Sequence, residues 1–100
     1  MKIPKEIQIA GKTIKIVWDN KECDDKSIYA QADWIKERIL IQNETENVKR
    51  GNDFINVSFL HEIFHWVFQI LGEDELRKNE KVVGQLAELI YQVIKQIEGR

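Results

Sequence analysis

The hydrophobic period of this chain changes once, near residue 53, and that change constrains the fold more than any other feature. Before it, apolar residues alternate. Ile7 and Ile9, then Ile14, Ile16 and Trp18, are spaced by two, with Gln8, Lys15 and Val17 between them. That is the period of a strand. Ala10-Gly11-Lys12 supplies a turn, so 5–10 and 12–18 are expected to form a hairpin. Tyr29 to Trp34 and Arg38 to Gln42 flank Ile35-Lys36-Glu37 and predict a second hairpin. The polar stretches 19–27 and 43–52 read as loops.

After the change, Leu60, Ile63, Phe64, Val67, Phe68 and Leu71 recur at three and four, the stripe of an amphipathic helix. A helix is expected over 53–71, capped near Asn52 or Asp53 and stopped by Gly72. Gly72 to Lys78 is a short connection. Val82, Val83, Leu86, Leu89, Ile90, Val93, Ile94 and Ile97 then predict a second helix over 79–97. The expected fold is α+β. A small antiparallel β-sheet of three to four strands in 1–42 precedes two antiparallel helices, all in one domain spanning 1–100.

Composition bounds the partners. The chain has 100 residues, 43% hydrophobic and 32% charged, as soluble globular domains do. Its net charge of -2 provides no basic stripe to follow a phosphate backbone, so no nucleic acid is expected. The single cysteine, Cys23, excludes an intramolecular disulfide and fits a reducing compartment. No apolar stretch follows Met1-Lys2-Ile3-Pro4, and the segment from Phe59 to Leu71 reads as too short and too polar for a bilayer. The expectation is a cytoplasmic protein without a membrane span.

The chemistry centres on His61-Glu62-Ile63-Phe64-His65. Residues four apart on a helix lie about 40° apart around the axis and one turn apart along it, so both imidazoles can face one metal ion. Glu62 is turned about 100° from His61, unsuited as a third ligand but able to sit beside an open coordination position. Metal-assisted hydrolysis needs three protein ligands, one open position and a base near the water. Zinc lowers the pKa of a bound water to roughly 7, which lets a carboxylate take its proton. The chain's two histidines both fall in the pattern, and its flanks, Ser58-Phe59-Leu60 and Trp66-Val67-Phe68, carry no charge.

With no other histidine, the third ligand must be a carboxylate. Glu73, Asp74 and Glu75 follow the first helix too closely. Glu80 opens the second helix, which must return antiparallel and so bring its first turns beside the histidines; Glu88, two turns further on, is the competitor. The expected site is therefore His61, His65 and Glu80 as zinc (Zn2+) ligands with Glu62 as catalytic base.

These residues resemble a known family. His61-Glu62-Ile63-Phe64-His65 followed by Asn79-Glu80 is similar to the gluzincin zinc metallopeptidases. The size and order of nearly the whole chain resemble the soluble minimal members called minigluzincins. The resemblance implies an antiparallel sheet packed on an active-site helix, with the third ligand on a separate glutamate helix. It also implies peptide hydrolysis at zinc through a water activated by Glu62, with a latent (zymogen) form. Many gluzincins carry an Asp four residues after the ligand glutamate, where it orients a histidine. This chain has Gly84 there, a residue that also lets two helices approach closely.

The resemblance further implies that a peptide or protein substrate adds as a strand to the sheet edge, with Tyr29–Trp34 or Arg38–Gln42 as the candidate. Latency would come from the C-terminal segment Ile94 to Arg100 covering the cleft, from the same chain or by self-association with a neighbour. Tyr91, Tyr29 and Arg77 are the candidates for stabilising an oxyanion, with Tyr91 better explained by packing. Trp18, Trp34 and Trp66 read as packing residues, and Cys23 as a bystander in an acidic loop. The alternative function is a zinc-binding regulatory or interaction domain without peptidase activity. A metal-free helical module built on the Phe59–Leu71 stripe is a third reading.

Overall fold

A computed structural model describes residues 1–99. The first hairpin joins β1 (Glu6–Ile9) to β2 (Lys12–Trp18), with Ile7 opposite Ile14. Its turn residues, Ala10 and Gly11, both have positive φ (50° and 77°), as a two-residue hairpin loop with the right twist requires. The second joins β3 (Ala30–Asp33) to β4 (Arg38–Ile41), with Ala32 opposite Ile39. The sheet order is β1-β2-β4-β3. The sheet is mixed rather than antiparallel, because the two hairpins meet through β2 and β4 running parallel, with Ile16 opposite Ile39. A parallel neighbour needs a crossover, and the segment from Asn20 to Asp33 supplies it.

Part of that crossover is a helix where a loop was expected. α1 (Asn20–Lys26) starts at Asp19, whose carboxylate accepts the Glu22 N–H at 2.9 Å, and ends at Ser27 in the left-handed region (φ 56°). It covers the face of β4 opposite the long helices. Arg38 on β4 is buried there because Glu22 takes its guanidinium in two contacts, 2.6 and 3.3 Å, and Asp33 takes Nε at 3.0 Å. A buried guanidinium needs such partners. The second expected loop, 43–52, contains a minor hairpin, β5 (Glu44–Thr45) with β6 (Val48–Lys49), turned at Glu46 and Asn47, both at positive φ.

α2 (Asn52–Leu71) packs its Phe59 and Trp66 onto Ile14, Ile16, Ile39 and Ile41 of the sheet. Trp66 is 2% exposed, meets Trp34 edge to face at 4.8 Å, and donates Nε1–H to the Arg38 carbonyl. Trp18, by contrast, is 43% exposed. The cap of α2 is Gly51, not Asn52 or Asp53, and makes no side-chain hydrogen bond. Gly72 ends the helix at φ 71°, a conformation that favours glycine. At 20 residues and a mean hydropathy of 1.2, α2 is long and apolar enough to cross a membrane by those criteria alone, which revises the shorter segment read from the sequence. In the fold it lies between the sheet and the last helix.

A short α3 (Asp74–Lys78) turns the chain, and α4 (Glu80–Glu98) returns along α2. Asn79 caps α4 by accepting the Val82 N–H at 3.1 Å. Leu60, Ala87 and Tyr91 make the contact between the helices, while Leu89, Val93 and Ile97 remain exposed.

Candidate metal centre

The middle of α2 and the first residue of α4 face each other. His65 Nε2 lies 2.7 Å from Glu80 Oε1, and His61 Nε2 lies 3.4 Å from the same oxygen. The two imidazole rings are 4.9 Å apart between centroids, one helical turn, as the spacing of four dictates. One donor atom from each of the three residues falls within 4.8 Å of the others, a group that could hold a metal ion. Two imidazole nitrogens and one carboxylate oxygen form a donor set that suits zinc and leaves a coordination position free. Burial holds the His61 pKa below the ordinary imidazole value, against the opposing pull of Glu80. His61 is thus neutral at neutral pH, the form that binds metals.

Glu80 contributes its carboxylate from an exposed position, whereas the histidines are largely enclosed. Glu88 is not in the donor group. It stands on the wall of the adjoining cleft.

Glu62, on the same helix, is turned to β3 and is 8% exposed. Its Oε1 accepts the Ala32 backbone N–H at 2.9 Å. Burial pushes its carboxyl up to about 7, although the bond from Ala32 pulls down. The bond ties Glu62 to β3, an edge strand of the sheet. Along β3, alternate residues turn their backbone groups away from β4, and Ala30 and Ala32 are those residues. Arg38–Gln42, the other candidate edge, is excluded, because β4 lies between β2 and β3.

A cleft of about 390 Å³ opens beside His61, Glu62 and Glu80, walled by Ile28, Tyr29, Ala30, Phe54, Val57, Ser58, Gly84 and Glu88. A Cβ added at Gly84 would sit 3.9 Å from His61 Nδ1 and Cε1, ordinary van der Waals contact. Gly84 therefore leaves space beside the imidazole rather than relieving a clash between the helices. The Asn79 side chain is engaged by the α4 cap.

The other sequence candidates separate clearly. The Tyr91 hydroxyl donates to Asp53 at 2.6 Å and accepts from Asn56 at 3.1 Å, tying α4 to the start of α2. Tyr29 lines the cleft and meets Phe54 edge to face at 5.0 Å. Arg77 pairs with Asp74 within α3. Cys23 is buried in α1 with its thiol pushed up to about 11, chiefly by burial, which suits a packing residue. Ile94 to Glu98 continues α4, and Glu98 is held by the N-terminal amine at 2.7 Å. That end lies roughly 27 Å along the helix from Glu80, at 1.5 Å per residue, so the segment does not cover the site of its own chain. Comparison with protein-family models, with curated proteins and with solved structures found no match to this chain.

Proposed function

We propose that this protein is a zinc-dependent metalloendopeptidase of the gluzincin kind. His61, His65 and Glu80 are the residues that would hold the metal. Bound there, zinc would polarise a peptide carbonyl and make a water acidic enough to deprotonate near neutral pH. The carrying observation is that two imidazoles and a carboxylate from separate helices converge while a second acidic residue, Glu62, is buried next to them and oriented by the sheet edge.

Glu62 is suited to general-base work because its carboxyl, raised to about 7, has a proton affinity near the operating range. The Ala32 N–H fixes one carboxylate oxygen and leaves the other for the water. The outward-facing N–H and C=O of Ala30 and the C=O of Ala32 suit an extended peptide lying along β3, the main-chain mode of strand addition, while the Ala32 N–H stays with Glu62. His61, kept neutral by burial, does not compete for that proton.

Zinc-loaded protein is expected to cleave an unfolded protein substrate. The Glu62→Gln variant is expected to keep its zinc and lose nearly all turnover. A wild type that binds zinc and cleaves nothing, alone or after removal of its C-terminal residues, would leave a zinc-binding regulatory domain instead.

A further inference from the structure

We infer that the cleft beside the metal centre takes a lysine or arginine side chain of the substrate, and that Glu88 selects its charge. The inference rests on the peptidase reading above and names a substrate class for that site. The cleft borders His61, Glu62 and Glu80, so the side chain entering it belongs to a residue flanking the cleaved bond.

The walls divide by chemistry. Ile28, Tyr29, Phe54 and Val57 give an apolar lining from the sheet side and from α2. Across from them α4 contributes carboxylates and Gly84. Glu80 is directed to the two imidazoles, and Glu62 accepts from Ala32. Glu88 alone has neither an ion pair nor a hydrogen bond among the described residues. Among the described residues, no lysine or arginine lines the cleft. Two cations beside its walls are engaged elsewhere. Arg50 stacks on Tyr29 and Phe54 at 4.4 and 4.8 Å and donates to Gln42 at 2.7 Å, and Lys95 pairs with Asp53 at 3.6 Å.

An apolar wall ending in an unpaired carboxylate matches a long aliphatic stem with a cationic head. The stem packs on Phe54 and Tyr29, and the head makes a charge-assisted hydrogen bond to Glu88. A wholly apolar side chain would leave Glu88, exposed at the cleft wall, without a cationic partner, and an acidic one would meet like charge.

The test uses the full chain in two forms. Zinc-loaded protein is given matched peptides carrying Lys, norleucine, Gln or Glu at one position. Lys should be cleaved about tenfold faster than norleucine, the worth of one charge-assisted hydrogen bond, and Glu88→Gln should erase that preference. Metal-free protein is titrated with the Lys and norleucine peptides by NMR. Shifts are expected at Tyr29, Phe54 and Val57, and Glu88→Gln should weaken the Lys peptide about tenfold while sparing the norleucine peptide. Cleavage with norleucine or Glu preferred, or a Lys preference that survives Glu88→Gln, overturns the inference and leaves the peptidase reading standing. No cleavage of any peptide by zinc-loaded protein sinks the peptidase reading, and the NMR titration then decides the cleft by itself.

Discussion

α2 meets its two neighbours in different ways. Toward the sheet, Phe59 and Trp66 sit among Ile14, Ile16, Ile39 and Ile41, all at 8% exposure or less. Toward α4 the contact is thinner, with Leu60 against Ala87 and Tyr91, and it is reinforced by the polar link from Tyr91 to Asp53 and Asn56. The two sides also hold different chemistry. Glu62 is fixed by the sheet side through Ala32. Glu80 comes from α4 and is 69% exposed. A base must be oriented before the reaction begins, whereas a ligand can be drawn in by the ion it binds. In the proposed peptidase, the firmer side would therefore carry the base.

The contrast breaks most visibly at Trp66. Trp66→Ala should destabilise the fold by about 3–5 kcal/mol, the range for a large aromatic removed from a core, read by urea denaturation. A loss no larger than that of Leu60→Ala, on the α4 side, would mean that the sheet side is not the firmer one.

Gly84→Asp sharpens the α4 side. A Cβ there makes only ordinary contact with His61 Nδ1, so the aspartate would carry a carboxylate to the neighbourhood of that nitrogen. Zinc affinity should rise about tenfold, the scale of an outer-shell acceptor. An affinity unchanged in a chelator competition would show that His61 already has its support.

Tyr91→Phe removes only the polar link between the helices. It should cost about 1 kcal/mol, a typical hydrogen bond, while zinc content stays the same. A fall in zinc content would mean that this link also positions Glu80.

The smallest effect lies on the sheet's other face. Arg38 and Lys26 hydrogen-bond the Glu22 carboxylate and hold it down at about 2, below its ordinary 4.5. The folded state thus favours the ionised form, and this contribution is whole above the ordinary value and is lost as pH falls toward 2. Glu22→Gln should lower the denaturation midpoint modestly at pH 6, and the gap should close by pH 2.5. A gap that persists in acid would assign the effect to packing. Because Glu22 is partly solvated, the effect is small.

The sequence made local patterns legible and long-range pairing illegible. The period switch near residue 53 located α2 and α4, and Ala10-Gly11 marked the first turn, because each signal lies within a few residues. The parallel contact of β2 with β4 left no such trace, since both are apolar strands whichever way they run. α1 was hidden because a short helix that buries only Cys23 needs no apolar stripe, and its one sign was Asp19 as a cap. Arg38 in the core is explained by Glu22 and Asp33, which sequence distance conceals. In the site, His61 and His65 followed from spacing alone. The short connection before the second helix favours Glu80 over Glu88, whereas Glu62's bond to Ala32 required knowing which strand is the edge.

The central claim is that His61, His65 and Glu80 together hold one zinc ion. Elemental analysis of the purified wild type beside His61→Ala and Glu80→Gln tests it most directly. The account predicts about one zinc per chain in the wild type, lost in the histidine variant and at least strongly weakened in the glutamate variant. A wild type that takes up no zinc after reconstitution, or a Glu80→Gln protein that binds it as tightly as the wild type, would contradict it.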